Sequence, residues 1–203
     1  MVSPKNYQFT TTLMGEFNKY NCLAALAVSS VVGIEKKAAI AAIRSFVGVV
    51  GRMEVVQEKP YMVIVDFAHT PNAIDRALRT AREYTKKQLI HVFGSAGLRD
   101  ATKRPAMGKS SSAYADQIVL TEEDYRTERV EDIMDAIQQG IPADIPVTRK
   151  PDRGDAIRFA LAIAKPGDVV IITGKGHEKS LCRGKKEYPW SDQDAVARAL
   201  AKK

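Results

Sequence analysis

The stretch YMVIVDFAHTPNAIDRAL, Tyr61 to Leu78, decides how the chain is read. Val63 to Val65, with Asp66 after them, form the buried end of a strand, and Pro71 followed by Ala73, Ile74, Ala77 and Leu78 opens a helix. Thr70 suits the N-cap and Pro71 the first helical position, where a backbone N–H would have no partner in any case. That accounts for the last two residues of the turn. It leaves Asp66 and His69 without a local structural reason.

Short β-branched runs of the same texture recur downstream, at QLIHVFG (88–94), QIVLT (117–121), IPVTR (145–149) and DVVIIT (168–173). Helical stretches fill the gaps at 71–86, 103–115, 129–139 and 153–165, and a last one runs from about Asp192 to Lys202. Strands alternating with amphipathic helices are the pattern of βαβ units on a parallel sheet, so an α/β fold is expected. SLCRGKKEYPW, before the last helix, reads as a hairpin turning at Arg183, Gly184 and Lys185. Upstream, Phe17 to about Phe46 is Ala-rich and helical in pattern, with Gly33 ending the first of two helices and Cys22 to Ile34 reading as a buried segment. The texture changes near Val49 to Gly51, which divides the chain into 1–50 and 51–203.

A formal charge of +7 over 203 residues suits phosphate-bearing ligands as well as nucleic acid. The Lys and Arg residues are scattered and aromatics make up only 7% of the chain, so a nucleic-acid surface is the weaker reading. Cys22 and Cys182 lie far apart without metal-ligand spacing and read as free thiols of a reducing cytoplasm. The amino end lacks a signal-peptide pattern, and no apolar run is long enough to span a bilayer. A soluble protein, by default a monomer, is expected.

Each parallel strand is followed by a polar or glycine-rich cluster: DFAHT, GSAGLRD, TEEDYRT, RKPDR and TGKGHE. The carboxyl ends of parallel strands are where open α/β sheets hold ligands. In TGKGHE two glycines flank Lys175 and let the backbone approach an anionic or peptide-like group, with Lys175 as a cation and Glu178 as an anion; the bland alternative is a strand-exit turn. GSAGLRDATKRP offers backbone donors with Arg99, Lys103 and Arg104 for a carboxylate or phosphate, or is merely a solvated basic helix start. TEEDYRTE puts four acids and Arg126 in one loop that suits a zwitterionic amino acid, against the alternative of a charged surface loop. Arg52 in GRMEVV is a phosphate contact or a surface residue, Asn18 an N-cap, and Asn21 a polar residue on the outer face of its helix. GxxxxGK[ST] is absent, and His69, His91 and His177 show no zinc spacing.

In their order, GEFNKYNCLAALA, GRMEVV, VDFAHTPNAI, GSAGLRDATKRPAMG, LTEEDYRTE, ITGKGHE and YPWSDQDAVARAL resemble the Mur ligase family, and within it the tripeptide-synthetase branch that adds the third residue of the peptidoglycan stem. The resemblance runs from about Gly15 to Leu200. It implies that 51–203 is the Rossmann-like carboxy-terminal domain, an open, mostly parallel sheet with flanking helices that brings the incoming amino acid. Residues 1–50 would then be the closing helices of a central ATPase domain. It further implies a cytoplasmic ligase in which ATP, with Mg2+, phosphorylates the carboxylate of UDP-N-acetylmuramoyl-L-alanyl-D-glutamate, after which the incoming amine attacks the acyl phosphate.

By the same resemblance Asp66 holds the ATP ribose, His69 lies near the nucleotide, Arg52 points at the phosphates, and Asn18 or Asn21 contacts adenine, in a site completed when domains close. Arg99, Glu123, Asp124, Arg126, Gly174 and Glu178 fall at the positions that contact the amino acid. Arg126 would grip a distal carboxylate, which favours meso-diaminopimelate, and Glu178 suits its distal ammonium. Diaminopimelate-adding members read DNPR where this chain has Glu123, Asp124, Tyr125 and Arg126. The P-loop and the Mg2+ ligands would belong to a part outside this sequence, so no catalytic or metal-ligating residue is assigned here and the polypeptide by itself is expected not to ligate. The alternatives are a stand-alone amino-acid or nucleotide-binding module, or a Mur-related ligase for another amino acid such as L-lysine.

Overall fold

The structure, a computed structural model, describes residues 8–201. The described residues divide into two compact units, with the boundary between Val49 and Val50. The first holds two helices, α1 (Glu16–Val31) and α2 (Lys36–Ser45), with Gly33 at a φ of +79° between them. Cys22 and Leu26 are the buried residues of α1, whereas Val28, Val31, Val32 and Ile34 are exposed. The segment Cys22 to Ile34 is therefore not the buried helix its apolar run suggests. An apolar groove lined by Leu13, Cys22, Ala25, Ala39, Ile43 and Phe46 lies between α1 and α2. The N-cap of α1 is Gly15, and Asn18 stands inside the first turn with its Nδ2 donating to Met14 O at 2.7 Å.

The second unit is built on β1 (Glu54–Gln57), β2 (Met62–Val65), β3 (Leu89–Phe93), β4 (Gln117–Leu120), β5 (Val147–Arg149) and β6 (Val169–Ile172). Their order in the sheet is β1-β2-β6-β3-β4-β5. Neighbours from β2 to β5 pair in parallel, and β1 lies antiparallel on β2 at the edge. The helices are α3 (Pro71–Tyr84), α4 (Lys103–Ser112), α5 (Val130–Gln138), α6 (Arg153–Ile163) and α7 (Asp192–Leu200). The five strands expected from sequence occur within two residues of their expected limits. β1 was not among them: four half-buried residues between a glycine turn and Pro60 carry little periodic signal.

Side chains alternate across the sheet. Val63, Val65, Ile90, Val92, Val170 and Ile172 meet Ala156, Ile157, Ala160 and Leu161 of α6 and Ala195 and Val196 of α7 on one face. Ile64, Leu89, His91 and Ile171 turn to the other, where α3 and α4 pack side by side and α4 against α5. β3 and β6 are buried at every position, as central strands covered on both faces must be.

The helix starts follow their caps. Thr70 Oγ1 accepts from Ala73 N at 3.3 Å with Pro71 at the first position, Asp152 Oδ1 accepts from Asp155 N at 2.9 Å, and Ser191 Oγ accepts from Asp194 N at 3.2 Å. At the amino ends of the strands, Arg82 pairs bidentately with Asp116 (2.6 and 3.0 Å), whose Oδ2 also accepts from Leu89 N. β7 (Ser180–Arg183) and β8 (Lys186–Pro189) form the expected hairpin, which is the second sheet.

Arg153, at the start of α6, and Asp192, at the start of α7, form an ion pair with no side-chain exposure, Nε–Oδ1 2.7 Å and Nη2–Oδ2 2.8 Å. Removing one partner leaves the other charge buried and unpaired, so Asp192→Ala should cost about 3–5 kcal/mol in urea unfolding, and Arg153→Met with Asp192→Leu together should cost less than either alone. A loss under 1 kcal/mol for Asp192→Ala would show that the pair does not hold the fold.

Candidate functional site

The loops that leave β2, β3, β4 and β6 converge at the carboxyl edge of the sheet. Arg153 organises them: its Nη1 donates to Glu122 O at 3.2 Å and its Nη2 to Thr173 O at 2.9 Å, so the exits of β4 and β6 share one buried cation. Glu122 is itself buried; its Oε1 accepts from Arg153 N at 3.1 Å and its Oε2 from Arg183 Nε at 2.9 Å. The next residue, Glu123, is also buried, and its Oε2 has no hydrogen-bond partner.

Glu123 Oε2 lies 2.8 Å from where a Cβ on Gly174 would stand, and Gly174 has a φ of +111°. A side chain there would both strain the backbone and displace the carboxylate. Across the cleft, a Cβ on Gly97 would meet Tyr125 O at 2.0 Å, so glycine is what lets the β3 and β4 exit loops touch. Ser95 Oγ, on the same β3 loop, is buried without a partner.

Arg126 adopts a φ of +53°, held by Arg126 N donating to Cys182 O (3.1 Å) and Gly184 N donating to Arg126 O (2.7 Å). A left-handed arginine is uncommon and persists where the surroundings fix it. Its Nη1 donates to Gly97 O at 2.7 Å and more weakly to Asp124 O at 3.3 Å. Asp124 Oδ1 accepts from Lys175 Nζ (2.8 Å) and from Cys182 N (2.9 Å), and Lys175 Nζ also lies 2.5 Å from Glu178 Oε2. Burial alone would lower the Lys175 pKa, but the bonds to Asp124 and Glu178 outweigh it and raise it, so the lysine stays charged.

A second cluster surrounds the exit of β2. Asp66 is buried and committed: Oδ2 accepts from Met53 N at 2.7 Å and Oδ1 from Ala68 N at 2.8 Å. The Phe67 ring stands among the Arg52 guanidinium (4.4 Å), the His69 ring (4.6 Å) and the His177 ring (4.8 Å). Lys103 Nζ donates to His69 O at 2.8 Å. Among the described residues no group of three or more His, Cys, Asp or Glu side chains is placed to hold a metal ion, and no helix is long and apolar enough to cross a membrane.

The profile of the "Mur ligase, glutamate ligase domain" family matches residues 51–176, more than half of the chain. The chain belongs to the Mur ligase family. Among curated relatives it is 44% identical over 196 residues to the UDP-N-acetylmuramoyl-L-alanyl-D-glutamate–2,6-diaminopimelate ligase of Aquifex aeolicus, covering 97% of this chain and 40% of the relative. It is 41% identical over 198 residues to the UDP-N-acetylmuramyl-tripeptide synthetase of a Roseiflexus species, covering 93% and 38%. A solved structure of a UDP-N-acetylmuramoyl-L-alanyl-D-glutamate–2,6-diaminopimelate ligase superposes with a TM-score of 0.75 at 33% identity, over 97% of this chain and 40% of that one. The chain thus spans about 40% of the length of the relatives it matches.

Within this Mur ligase fold the sequence-derived residues fall into separate places. Glu123, Asp124, Arg126, Gly174 and Glu178 are brought together by the contacts above. Arg99 is exposed on the β3 exit loop and has no hydrogen bond or ion pair among the described residues. Arg52, Asp66 and His69 gather around Phe67, with Arg52 exposed. Asn18 and Asn21 lie on α1 of the first unit, Asn21 Nδ2 donating to Asn18 Oδ1 at 3.0 Å, with Asn21 exposed. Two bland alternatives are overturned: Asn18 is not an N-cap, and TEEDYRTE is not a surface loop, because Glu122 and Glu123 are buried. The solvated basic helix start also fails for Arg104, which is buried and paired with Glu128. Lys175 is not a free cation in the TGKGHE turn, since two carboxylates neutralise it.

Sequence reasoning missed Ser95, Phe67, His177 and the Cys182 backbone. Only the small-residue loop around Ser95 and the histidine of GKGHE carried any signal.

Burial pushes the Glu123 carboxyl up to about 7 from 4.5, against the pull of Arg153 and Lys175. Burial takes His91, which bridges Ser111 and Thr173, down to about 3 from 6.5. Between pH 4.5 and about 7 the folded chain keeps a proton on Glu123 that the unfolded chain has lost, so this group's contribution falls as pH rises. His91 does the opposite between about 3 and 6.5, and the two slopes cancel where they overlap. The stability of Glu123→Gln minus that of the parent should therefore grow by about 3 kcal/mol at most from pH 4.5 to 7 in urea unfolding. A difference that stays flat across the window would show that Glu123 ionises as an ordinary carboxylate.

Proposed function

We propose that this chain is the amino-acid-binding part of an ATP-dependent ligase that adds meso-diaminopimelate, as third stem-peptide residue, to UDP-N-acetylmuramoyl-L-alanyl-D-glutamate in the cytoplasm. The observation that carries this reading is the placing of a guanidinium and a buried carboxyl group on one fixed loop. Arg126 is locked by backbone bonds to the hairpin, and three residues before it Glu123 presents a buried carboxylate oxygen without a partner. A guanidinium and a carboxylate so fixed suit the carboxylate and ammonium of an amino acid. The names of the 44% and 33% identical relatives point to diaminopimelate.

Arg126 supplies the contact to the distal carboxylate, Glu123 and Glu178 the contacts to an ammonium, and exposed Arg99 an additional cation at the rim. Gly174 keeps the wall thin enough for the ligand's backbone to approach. ATP is used by the ligase, with Asp66 toward its ribose, Arg52 toward its phosphates, His69 beside the nucleotide and Asn18 or Asn21 toward adenine. Arg52 suits an anion because it is exposed, is held over the Phe67 ring and has no acidic partner among the described residues. Mg2+ ligands are assigned to none of the residues described here. Chemically, phosphoryl transfer from ATP activates the stem carboxylate and the amine of the bound amino acid displaces phosphate, so the role of these residues is to position and to offset charge.

One observation favours a second reading. Arg126 Nη1 already donates to Gly97 O, and L-lysine has no distal carboxylate to compete for it. Calorimetric titration of the chain with meso-diaminopimelate and with L-lysine separates the two. Diaminopimelate should bind about tenfold or more tightly, and Arg126→Ala should abolish that preference, in line with about 1.5–3 kcal/mol for a charge-assisted hydrogen bond. Equal or tighter binding of lysine would overturn the diaminopimelate assignment.

A further inference from the structure

Lys175 is the one lysine among the largest fully buried side chains, at 1% exposure, and no step described above uses its charge directly. A buried ammonium is retained only where acids compensate it. Lys175 Nζ has two such acids, Asp124 Oδ1 at 2.8 Å from the β4 exit loop and Glu178 Oε2 at 2.5 Å from its own loop. The backbone is shaped to place it there: Gly174 and Gly176, on either side, have φ values of +111° and +50°. Asp124 continues the line, because its Oδ1 also accepts from Cys182 N and its backbone oxygen accepts from Gly97 N (2.8 Å) and from Arg126 Nη1.

Glu178, Lys175, Asp124 and Arg126 thus form a chain of alternating charge. Its two ends are half-exposed, Glu178 with 39% and Arg126 with 24% of the side chain accessible, while Lys175 at its centre is closed to solvent. We propose that Lys175 is a positioning residue that, by holding Asp124 and Glu178, fixes the separation of Glu178 and Arg126, and through it the length of the charged amino acid the site accepts. The proposal rests on the amino-acid-ligase reading above. Lys175 does not contact the ligand in this assignment, whereas Asp124 keeps its Oδ2 free to do so. Lys175 is sealed, and Asp124 Oδ1 is taken by two donors. Without Lys175, Glu178 and Asp124 become two like charges with nothing between them, and Glu178 is free to turn away while Cys182 N still holds Asp124.

The test is ligation by the product of the gene that encodes this sequence, with separate KM values for amino acid, ATP and UDP-N-acetylmuramoyl-dipeptide. Lys175→Met should raise the amino-acid KM at least tenfold, with the other two KM values and kcat within about threefold of the parent. Selectivity between diaminopimelate and lysine should fall in the same variant, and Lys175→Arg, which keeps the charge, should restore most of it. An unchanged amino-acid KM in Lys175→Met overturns the proposal. So does a rise in all three KM values together with a lowered melting temperature, since that is the signature of packing alone. Should the parent ligate no amino acid, the functional reading fails and this inference with it; should the parent ligate while Lys175→Met behaves identically, only the inference fails.

Discussion

The ion pair between Arg153 and Asp192 is the constraint on which the carboxyl edge of the sheet depends. One guanidinium, without solvent exposure, spends its donors on Asp192, on the carbonyl of Glu122 and on the carbonyl of Thr173. Asp192 in turn accepts from Trp190 Nε1 at 2.8 Å, which fastens the start of α7 to the segment following the hairpin. The exits of β4 and β6 are separate in sequence and not adjacent in the sheet, since β3 lies between them. A single buried cation sets their spacing. Glu123 follows Glu122 and Gly174 follows Thr173, so the close approach of Glu123 to Gly174 is a direct consequence of that anchor.

The same cation shapes the titration of its neighbours. Arg153 pulls the Glu123 carboxyl down, and burial pushes it up by more. It also helps to keep His91 neutral, together with burial, so that one ring nitrogen donates to a hydroxyl and the other accepts from one in the Ser111–His91–Thr173 chain. The network therefore ties α4, β3 and β6 without adding a charge to the core. Placing the charges at the strand exits and leaving the strands apolar follows from the cost of burial, which is met only where paired groups converge.

Much of the fold was legible in the sequence because its signals are local. A strand run followed by Thr70 and Pro71 carries its own cap, and the alternation of such units dictates a parallel sheet. What was not legible depends on pairings across distance. Nothing in RKPDR says that Arg153 is buried or that its partner lies 39 residues away in WSDQD. The edge strand β1 was missed because Glu54 to Gln57 are half-buried throughout. Cys22 to Ile34 misled for the opposite reason, since its apolar residues are mostly exposed within the described unit. In the candidate site, residue types and strand-exit placement were readable. Which charges are already spent was not: Glu178 was free to read as an open anion until Lys175 stood against it.

That distinction between spent and unspent groups decides what the cleft can discriminate. A residue whose hydrogen bonds are complete gives a ligand little to gain and exacts little when the ligand lacks a matching group. An orphaned buried acceptor behaves differently. A ligand with a donor in reach relieves it, and an analogue without one leaves its desolvation cost in place, so selectivity concentrates at such atoms. Of the acids on the β4 exit loop, Glu122 is satisfied by Arg153 and Arg183, and Asp124 by Lys175 and Cys182 N. Glu123 Oε2 is left over, with Ser95 Oγ as the other buried side-chain oxygen without a partner among the described residues. The three paired acids, Glu122, Asp124 and Glu178, and their cations form a rigid frame. Selectivity rests on the carboxylate the frame leaves unfinished, held against Gly174, which has no side chain to complete it.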